Sequence, residues 1–299
     1  MKALRYLRRA AASAFLVLLV NRLEAADATA RDYPVQPVPF TAVHLTDHFW
    51  APRIETNRLF TIPYAFEKCR ESGRLYNFER AAAVLRGETI QDKKPPGFPF
   101  DDTDPYKVLE GASYTLAVQP DPKLDAYLDQ LIALFASAQE PDGYLYTTRT
   151  IDPEHPHPWA GTKRWVNEPK LSHELYDAGH LFEAAAAHYQ ATGKTNLLHV
   201  ALKEADLLCQ TFGPATNQLH LWPGHEVVEM GLAKLYRLTG NRRYLDLAKY
   251  FIDVRGSYPG GDDYHQSRLP PVQQTEAIGH AVRAGYLYSG MADVAALTG

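Results

Sequence analysis

The segment HYQATGKTNLLHVALKEADLL, which begins at His188, is followed 47 residues later by LYRLTGNRRYLDLAKYFID. Both read as a helix, an aromatic residue, a Thr-Gly turn and a second helix. The pairs Thr192-Gly193 and Thr239-Gly240 stand where a helix C-terminus accommodates glycine, the residue for which a left-handed conformation costs least. A third copy opens with GHAVRAGYLYSGMADVAALTG and reaches its turn at Thr298-Gly299. No stretch shows the alternation of a half-buried strand. Repeated helical hairpins without strands restrict the chain to stacked αα units. Short turns on one side and long loops on the other predict an all-α toroid, an (α/α)6 barrel with about eight of its twelve helices present and with function on the long-loop face. Because the third copy stops at its turn, the expectation is an N-terminal fragment of a longer product.

At 299 residues and 45% hydrophobic, the chain is large enough to bury a substantial core. Its beginning has a different composition. Lys2, Arg5, Arg8 and Arg9 precede the run AAASAFLVLLV, about half the ~20 apolar residues a membrane span needs, and Ala25, Ala26 and Ala28 follow. Residues 1–26 are therefore expected to be a cleaved signal peptide, which places the mature protein in a secreted or periplasmic location without stable membrane anchoring. Its removal leaves 26 basic and 34 acidic side chains. With that acidic balance and no basic run, nucleic acid and anionic membranes are excluded as partners. Residues 27–41, with Pro34, Pro37 and Pro39, read as an extended lead-in, and residues 42–299 as the barrel. Cys69 and Cys209 lie in separate apolar helical segments. Such isolated cysteines are more often buried thiols, but an exported protein can join them, and the sequence leaves both outcomes open.

Histidine is the main functional signal. In LSHELYDAGH, His173, Asp177 and His180 stand at i, i+4 and i+7, one face of a helix. His225 follows WPG, and His280 follows Gly279. His173, His225 and His280 each fall in the opening turns of a helix of the repeated hairpins, and in a closed barrel those ends converge on one mouth. The competing reading is three capping or core histidines satisfied by backbone. His173-Glu174 lacks the spacing of a zinc-binding HExxH pair. Asp101, Asp102, Asp104, Glu110, Glu174 and Glu183 are candidate carboxylates, yet no spacing singles out a catalytic pair. Tyr144, Tyr146, Trp159, Trp165 and Trp222 occupy long loops or their edges, where aromatic planes serve either sugar rings or the core. Nucleophile-elbow, P-loop and dinucleotide motifs do not occur.

The blocks HFWAPRIETNR, NFERAA, DPYKVLEGASYTLA, AQEPDGYLY, HELYDAGHLFEAAAAHYQATGK, GHEVVEMGLAKLYRLTG and QTEAIGHAVRAGYLYSGMAD, in that order, closely resemble the N-terminal catalytic part of glycoside hydrolase family 127, the β-L-arabinofuranosidases. The resemblance runs from about residue 40 to residue 299. It implies an (α/α)6 barrel followed by β-sandwich modules, and a retaining mechanism with a cysteine nucleophile held by zinc. In that family the zinc takes three cysteines and a glutamate, and a second glutamate is the acid/base. Carried onto this sequence, it implies that His173, His225 and His280 hydrogen-bond arabinofuranose hydroxyls, with His180 an alternative to His173. Cys69 and Cys209 match neither the family's Cys-Cys pair nor its Glu-x-Cys motif. The expectation is thus that catalytic residues and zinc ligands lie beyond Gly299, that this chain holds no zinc, and that it is inactive alone. The implied partner is an L-arabinofuranose-containing oligosaccharide or glycan of plant cell walls. Two alternatives stand beside this reading. One is a non-catalytic carbohydrate-binding or scaffold protein; the other is a different (α/α)6 glycosidase such as an unsaturated uronyl hydrolase, which needs paired aspartates in the mouth, with Asp102 or Asp104 as the candidates.

Overall fold

The computed structural model describes residues 31–299; the expected signal peptide lies outside them. The first helix, α1 (Trp50–Thr56), passes through one π turn at Asn57–Thr61 into α2 (Ile62–Glu71). There follow α3 (Arg74–Leu85), α4 (Thr103–Val118), α5 (Pro122–Ser137), the short α6 (Thr147–Ile151), α7 (Glu174–Thr192), α8 (Asn196–Thr211), α9 (Val228–Thr239), α10 (Arg242–Val254) and α11 (Ala281–Thr298). Among the described residues nine helices reach ten residues or more, one more than expected, and no strand forms. The additional helix is α3. It follows α2 across only Ser72-Gly73, and its apolar residues Leu75, Phe78, Ala81 and Ala82 repeat at helical spacing and are buried.

Two concentric rows result. α2, α4, α7, α9 and α11 pack side by side in chain order, and α3, α5, α8 and α10 form a second row behind them. The inner helices α2, α4, α7 and α9 each turn into an outer partner through a few residues. Asp121 caps α5 by accepting from Lys123 and Leu124 N–H, and Asn241 caps α10 by accepting from Arg243 N–H. Long connections, residues 86–102, 138–173, 212–227 and 255–280, return the chain to the opposite end. Every inner helix from α4 onward therefore begins at the long-loop face, which the helix dipole makes the electropositive end. This is the predicted (α/α)6 arrangement.

α7 is the central stave: every residue from Glu174 to His188 is buried. It approaches α9 so closely that a Cβ on Gly179 would lie 2.4 Å from Val227 Cγ1, and one on Gly231 would lie 2.8 Å from Phe182 Cβ. Behind α4, the rings of Phe78, Tyr106 and Phe135 meet at centroid distances of 4.6 to 5.7 Å. The lead-in is tied down as a strap. Asp32 pairs with Arg237 of α9 at 2.8 Å, Tyr33 donates to Asp293 of α11 at 3.1 Å, and Phe40 packs edge-on against Tyr114 of α4 at 5.0 Å. Cys69 and Cys209 are free thiols on α2 and α8. No helix among the described residues is long and apolar enough to cross a membrane.

Candidate functional site

The turn before α7 places His173. Its backbone has φ 65°, a left-handed conformation that a side chain adopts only when its surroundings impose it. The imposing groups are buried. Glu168 accepts from the Ser172 hydroxyl at 2.6 Å and from the Glu174 N–H at 2.9 Å, and the Tyr146 hydroxyl donates to the Ser172 carbonyl. Glu174 in turn accepts from the Tyr144 hydroxyl at 2.6 Å and from the Trp165 N–H at 2.9 Å. Burial pushes the Glu168 carboxyl up to about 8. His173 Nδ1 donates to the Leu171 carbonyl, which leaves Nε2 as a free acceptor.

His225 is set by a different lock. Arg255, Glu226 and Glu229 are fully buried; the guanidinium lies 2.8 Å from Glu226 and 3.7 Å from Glu229, and it also donates to the carbonyls of Pro223 and His265. Arg283 donates to the Gly224 carbonyl. Gly224 has no room for a side chain, since a Cβ there would lie 2.2 Å from the Glu168 carbonyl oxygen. The segment from Pro223 to Val227 is thus clamped from both sides, and His225 Nδ1 donates to the Glu226 carbonyl at 2.9 Å. Its Nε2 is again an acceptor. His280 differs: as N-cap of α11 its Nδ1 accepts from the Arg283 N–H at 3.4 Å, so its Nε2 carries the proton and donates.

These three imidazoles share one cleft of about 370 Å³, lined also by Phe100, Trp159, Tyr176 and Arg283. Ring centroids are 5.7 Å apart for His173 and His225, and 6.0 Å for His225 and His280. Burial holds His173 down to about 4 and His225 to about 2, so both are neutral at ordinary pH. The cleft therefore presents two neutral acceptors and one donor, suited to hydroxyl groups. No carboxyl group lines it. A larger groove of about 680 Å³ runs between α2 and α4, but it holds the Arg74–Asp104 ion pair and none of the histidines.

The structure brings together His173, His225 and His280 but not His180. His180 lies about two turns deeper, edge-on behind Tyr176 at 4.5 Å and Tyr286 at 5.6 Å, and neither ring nitrogen has a partner. Asp177, expected on the same face, is fully buried and does not line the cleft. The three cleft histidines precede their helices rather than occupy the first turns: His173 and His280 are N-caps, and His225 stands three residues before Val228. Of the five loop aromatics only Trp159 lines the cleft. Tyr144 and Tyr146 are buried because their hydroxyls brace the turn before α7, and Trp165 and Trp222 are also buried. Asp102 is buried with both oxygens taken by Thr147, and Asp104 pairs with Arg74, so neither reaches the mouth. Phe100, Tyr176 and Arg283 went unmarked in the sequence. Only the position of Tyr176, one helical turn from His173 on the predicted helix, offered a signal for it.

The zinc implied by the family resemblance does not fit the residues present. Among the described residues no three His, Cys, Asp or Glu side chains are placed to hold one ion. Burial pushes the Cys69 thiol up to about 11 and that of Cys209 to about 12, the reverse of what a metal-binding thiolate needs.

Comparison with known proteins agrees with this architecture. Residues 42–299 match the family described as β-L-arabinofuranosidase, GH127 catalytic domain. The non-reducing end β-L-arabinofuranosidase of Bifidobacterium longum subsp. longum is 42% identical over 242 residues, which are 72% of this chain and 35% of that protein. The solved GH127 β-arabinofuranosidase BT3674 superposes with a TM-score of 0.85 at 54% identity, over 89% of this chain and 41% of its own. Ara127N-Se, a GH127 β-L-arabinofuranosidase from Geobacillus stearothermophilus T6, gives a TM-score of 0.76 at 38% identity, over 85% and 42% of the two chains. The chain spans between about a third and two fifths of the length of these relatives. With its two-row helical fold and a match over nearly all the described residues, the chain belongs to the GH127 β-L-arabinofuranosidase catalytic-domain family.

Proposed function

We propose that this chain forms the sugar-binding wall of a retaining glycoside hydrolase that removes β-L-arabinofuranosyl units from plant cell-wall glycans. The observation that supports this reading is the trio of imidazoles with opposed hydrogen-bonding roles in one cleft. A furanose presents several hydroxyls, each both donor and acceptor. Fixed acceptors at His173 and His225 and a fixed donor at His280 select which lone pair or proton each hydroxyl offers, and so orient the ring.

Glycosidic cleavage needs a proton donor and a nucleophile or base. The cleft lining contains no carboxyl group and the thiols sit on α2 and α8. That lining supports the reading in which the groups that break the bond come from outside this chain, and the 299-residue chain binds without cleaving. Calorimetry with methyl β-L-arabinofuranoside tests the first half: binding is expected, and its absence refutes the reading. An aryl β-L-arabinofuranoside tests the second half, for which no release of the aryl group is expected and zinc-dependent release by the pure chain counts against it. The basic and apolar order of residues 1–26 supports export, and a mature N-terminus near residue 27 in the exported protein is the corresponding expectation.

A further inference from the structure

At the outer edge of the histidine cleft stands an aromatic face that the three-histidine array does not use. Phe98 and Phe100 are stacked, with centroids 5.1 Å apart and planes inclined by 12°. Trp159 adjoins Phe98 at 6.1 Å, and Phe100 reaches inward to His173 at 4.8 Å. Phe98 is 47% exposed, and with Phe100 and Trp159 it presents a contiguous aromatic surface rather than a single exposed ring.

The face is held rigid by its backbone. The Phe98 N–H donates to Asp101 at 3.2 Å, and Asp101 is paired with Arg74 at 3.2 Å. On the other side, Asn167 donates to the Trp159 carbonyl at 2.6 Å, and Arg149 donates to the neighbouring Ala160 carbonyl at 2.8 Å. His157 braces Trp159: its Nδ1 accepts from the Trp159 N–H at 3.2 Å, its ring packs edge-on against Trp159 at 5.4 Å, and its own N–H donates to the Thr148 hydroxyl at 2.9 Å. The rings are therefore presented in place before any ligand arrives, and little ordering entropy is spent on binding.

We propose that Phe98, Phe100 and Trp159 form the platform for the leaving-group unit, the second sugar of the glycan, whose C–H face lies against these rings. The proposal rests on the sugar-binding reading of the histidine cleft and adds to it a specificity for a disaccharide over a single unit. Its geometry follows from continuity. Phe100 touches His173, so a unit bonded to the one held by the histidines comes to rest on the Phe98–Trp159 surface. Aromatic planes take the apolar face of a sugar and leave its hydroxyls in water, so the platform sorts by ring shape and linkage rather than by hydroxyl pattern.

The test is calorimetry on the full 299-residue chain with two probes, methyl β-L-arabinofuranoside and a β-L-arabinofuranosyl-L-arabinofuranose disaccharide. The disaccharide is expected to bind about three- to tenfold more tightly, the range that an aromatic contact supplies beyond area burial. Phe98→Ala, at an exposed position where folding is not at risk, lowers that ratio towards one; Trp159→Phe, which keeps an aromatic plane, retains it. Binding of the methyl glycoside with no preference for the disaccharide overturns the platform and leaves the histidine site standing. A Phe98→Ala ratio equal to that of the parent also overturns it. Failure of both probes to bind removes the sugar-binding reading and the platform together.

Discussion

An imidazole that spends one nitrogen on the backbone has a fixed role for the other, and that is the chemistry His173, His225 and His280 share. Its first consequence is a pH dependence. A free histidine titrates near ~6.5, whereas burial holds His173 near about 4 and His225 near about 2. Their acceptor nitrogens therefore survive down to acidic pH. Affinity for methyl β-L-arabinofuranoside is expected to stay level from pH 8 to pH 5 and to fall through about pH 4, where His173 gains a proton; a fall centred near 6.5 contradicts the assignment. Truncating His225 to alanine removes a buried hydrogen bond and is expected to weaken binding by about 1–3 kcal/mol in the same calorimetric assay. Arg255 carries a different kind of load. It is the cation for both Glu226 and Glu229, all three without solvent exposure. Burial pushes Glu226 up to about 8 against the pull of Arg255, so Arg255→Met at about pH 9 leaves two buried carboxyls without a cation and is expected to lower unfolding free energy by about 3–5 kcal/mol, measured by urea titration. A loss under 1 kcal/mol means that the two carboxyls are protonated in the native state and do not depend on Arg255.

Between elements, the decisive contact is the crossing of α7 and α9, because Val227, which precedes α9, rests on Gly179 of α7. A methyl group at Gly179 has nowhere to go: its nearest neighbours are Val227 Cγ1 at 2.4 Å and the backbone nitrogen of Val228 at 2.6 Å. Gly179→Ala is expected to push α9 outward, cost about 1–3 kcal/mol by overpacking, and weaken sugar binding because His225 moves with Val227. Thermal unfolding reads the first effect and calorimetry the second; a fully stable variant with parental affinity contradicts the tight crossing. Such contacts also mark how far the sequence could be read. The hairpin plan was legible because Thr192-Gly193 and Thr239-Gly240 carry local turn chemistry that tertiary structure does not alter. Gly224-His225 and Gly279-His280 were legible as helix starts for the same reason, although His225 proved to precede its helix. By contrast, whether a loop aromatic faces water depends on what packs over it. Tyr144 and Tyr146 look like Trp159 in sequence, and only the buried carboxyl of Glu174 and the Ser172 carbonyl, distant in the chain, draw the tyrosines inward. His180 shared the helical spacing of the site but lay about two turns too deep, behind Tyr176, which sequence periodicity does not reveal.

At the scale of the whole molecule, the polar lining of the inner row makes stability respond to pH in two opposed ways. His173, His180 and His225 are depressed to about 4, about 2 and about 2. For each, the unfolded chain takes up a proton below ~6.5 that the native chain refuses, so stability is complete above that pH and drains away as pH falls. Asp102, Glu168 and Glu183 are raised by burial to about 7, about 8 and about 7. For these, the unfolded chain releases its proton near ~4 while the native chain keeps it, so stability is complete below that pH and drains away as pH rises through the native values. Between about pH 4 and 6.5 the two sets have opposite slopes, each group worth up to about 1.4 kcal/mol per pH unit, and Glu226, raised to about 8, with Asp177 and Glu204, raised well above the usual carboxylate range, tips the balance to the carboxyls. Above 6.5 the histidines no longer contribute a slope and the carboxyls continue to do so. The urea midpoint is therefore expected to decline gently from about pH 4.5 to 6.5 and more steeply from there to pH 8, towards the alkaline side of a range in which most proteins are near their optimum. A midpoint that stays level between pH 6.5 and 8 means that Asp102, Glu168 and Glu183 are ionised in the native fold. In that case their hydrogen bonds from Thr147, Ser172 and Lys234 outweigh the cost of burial.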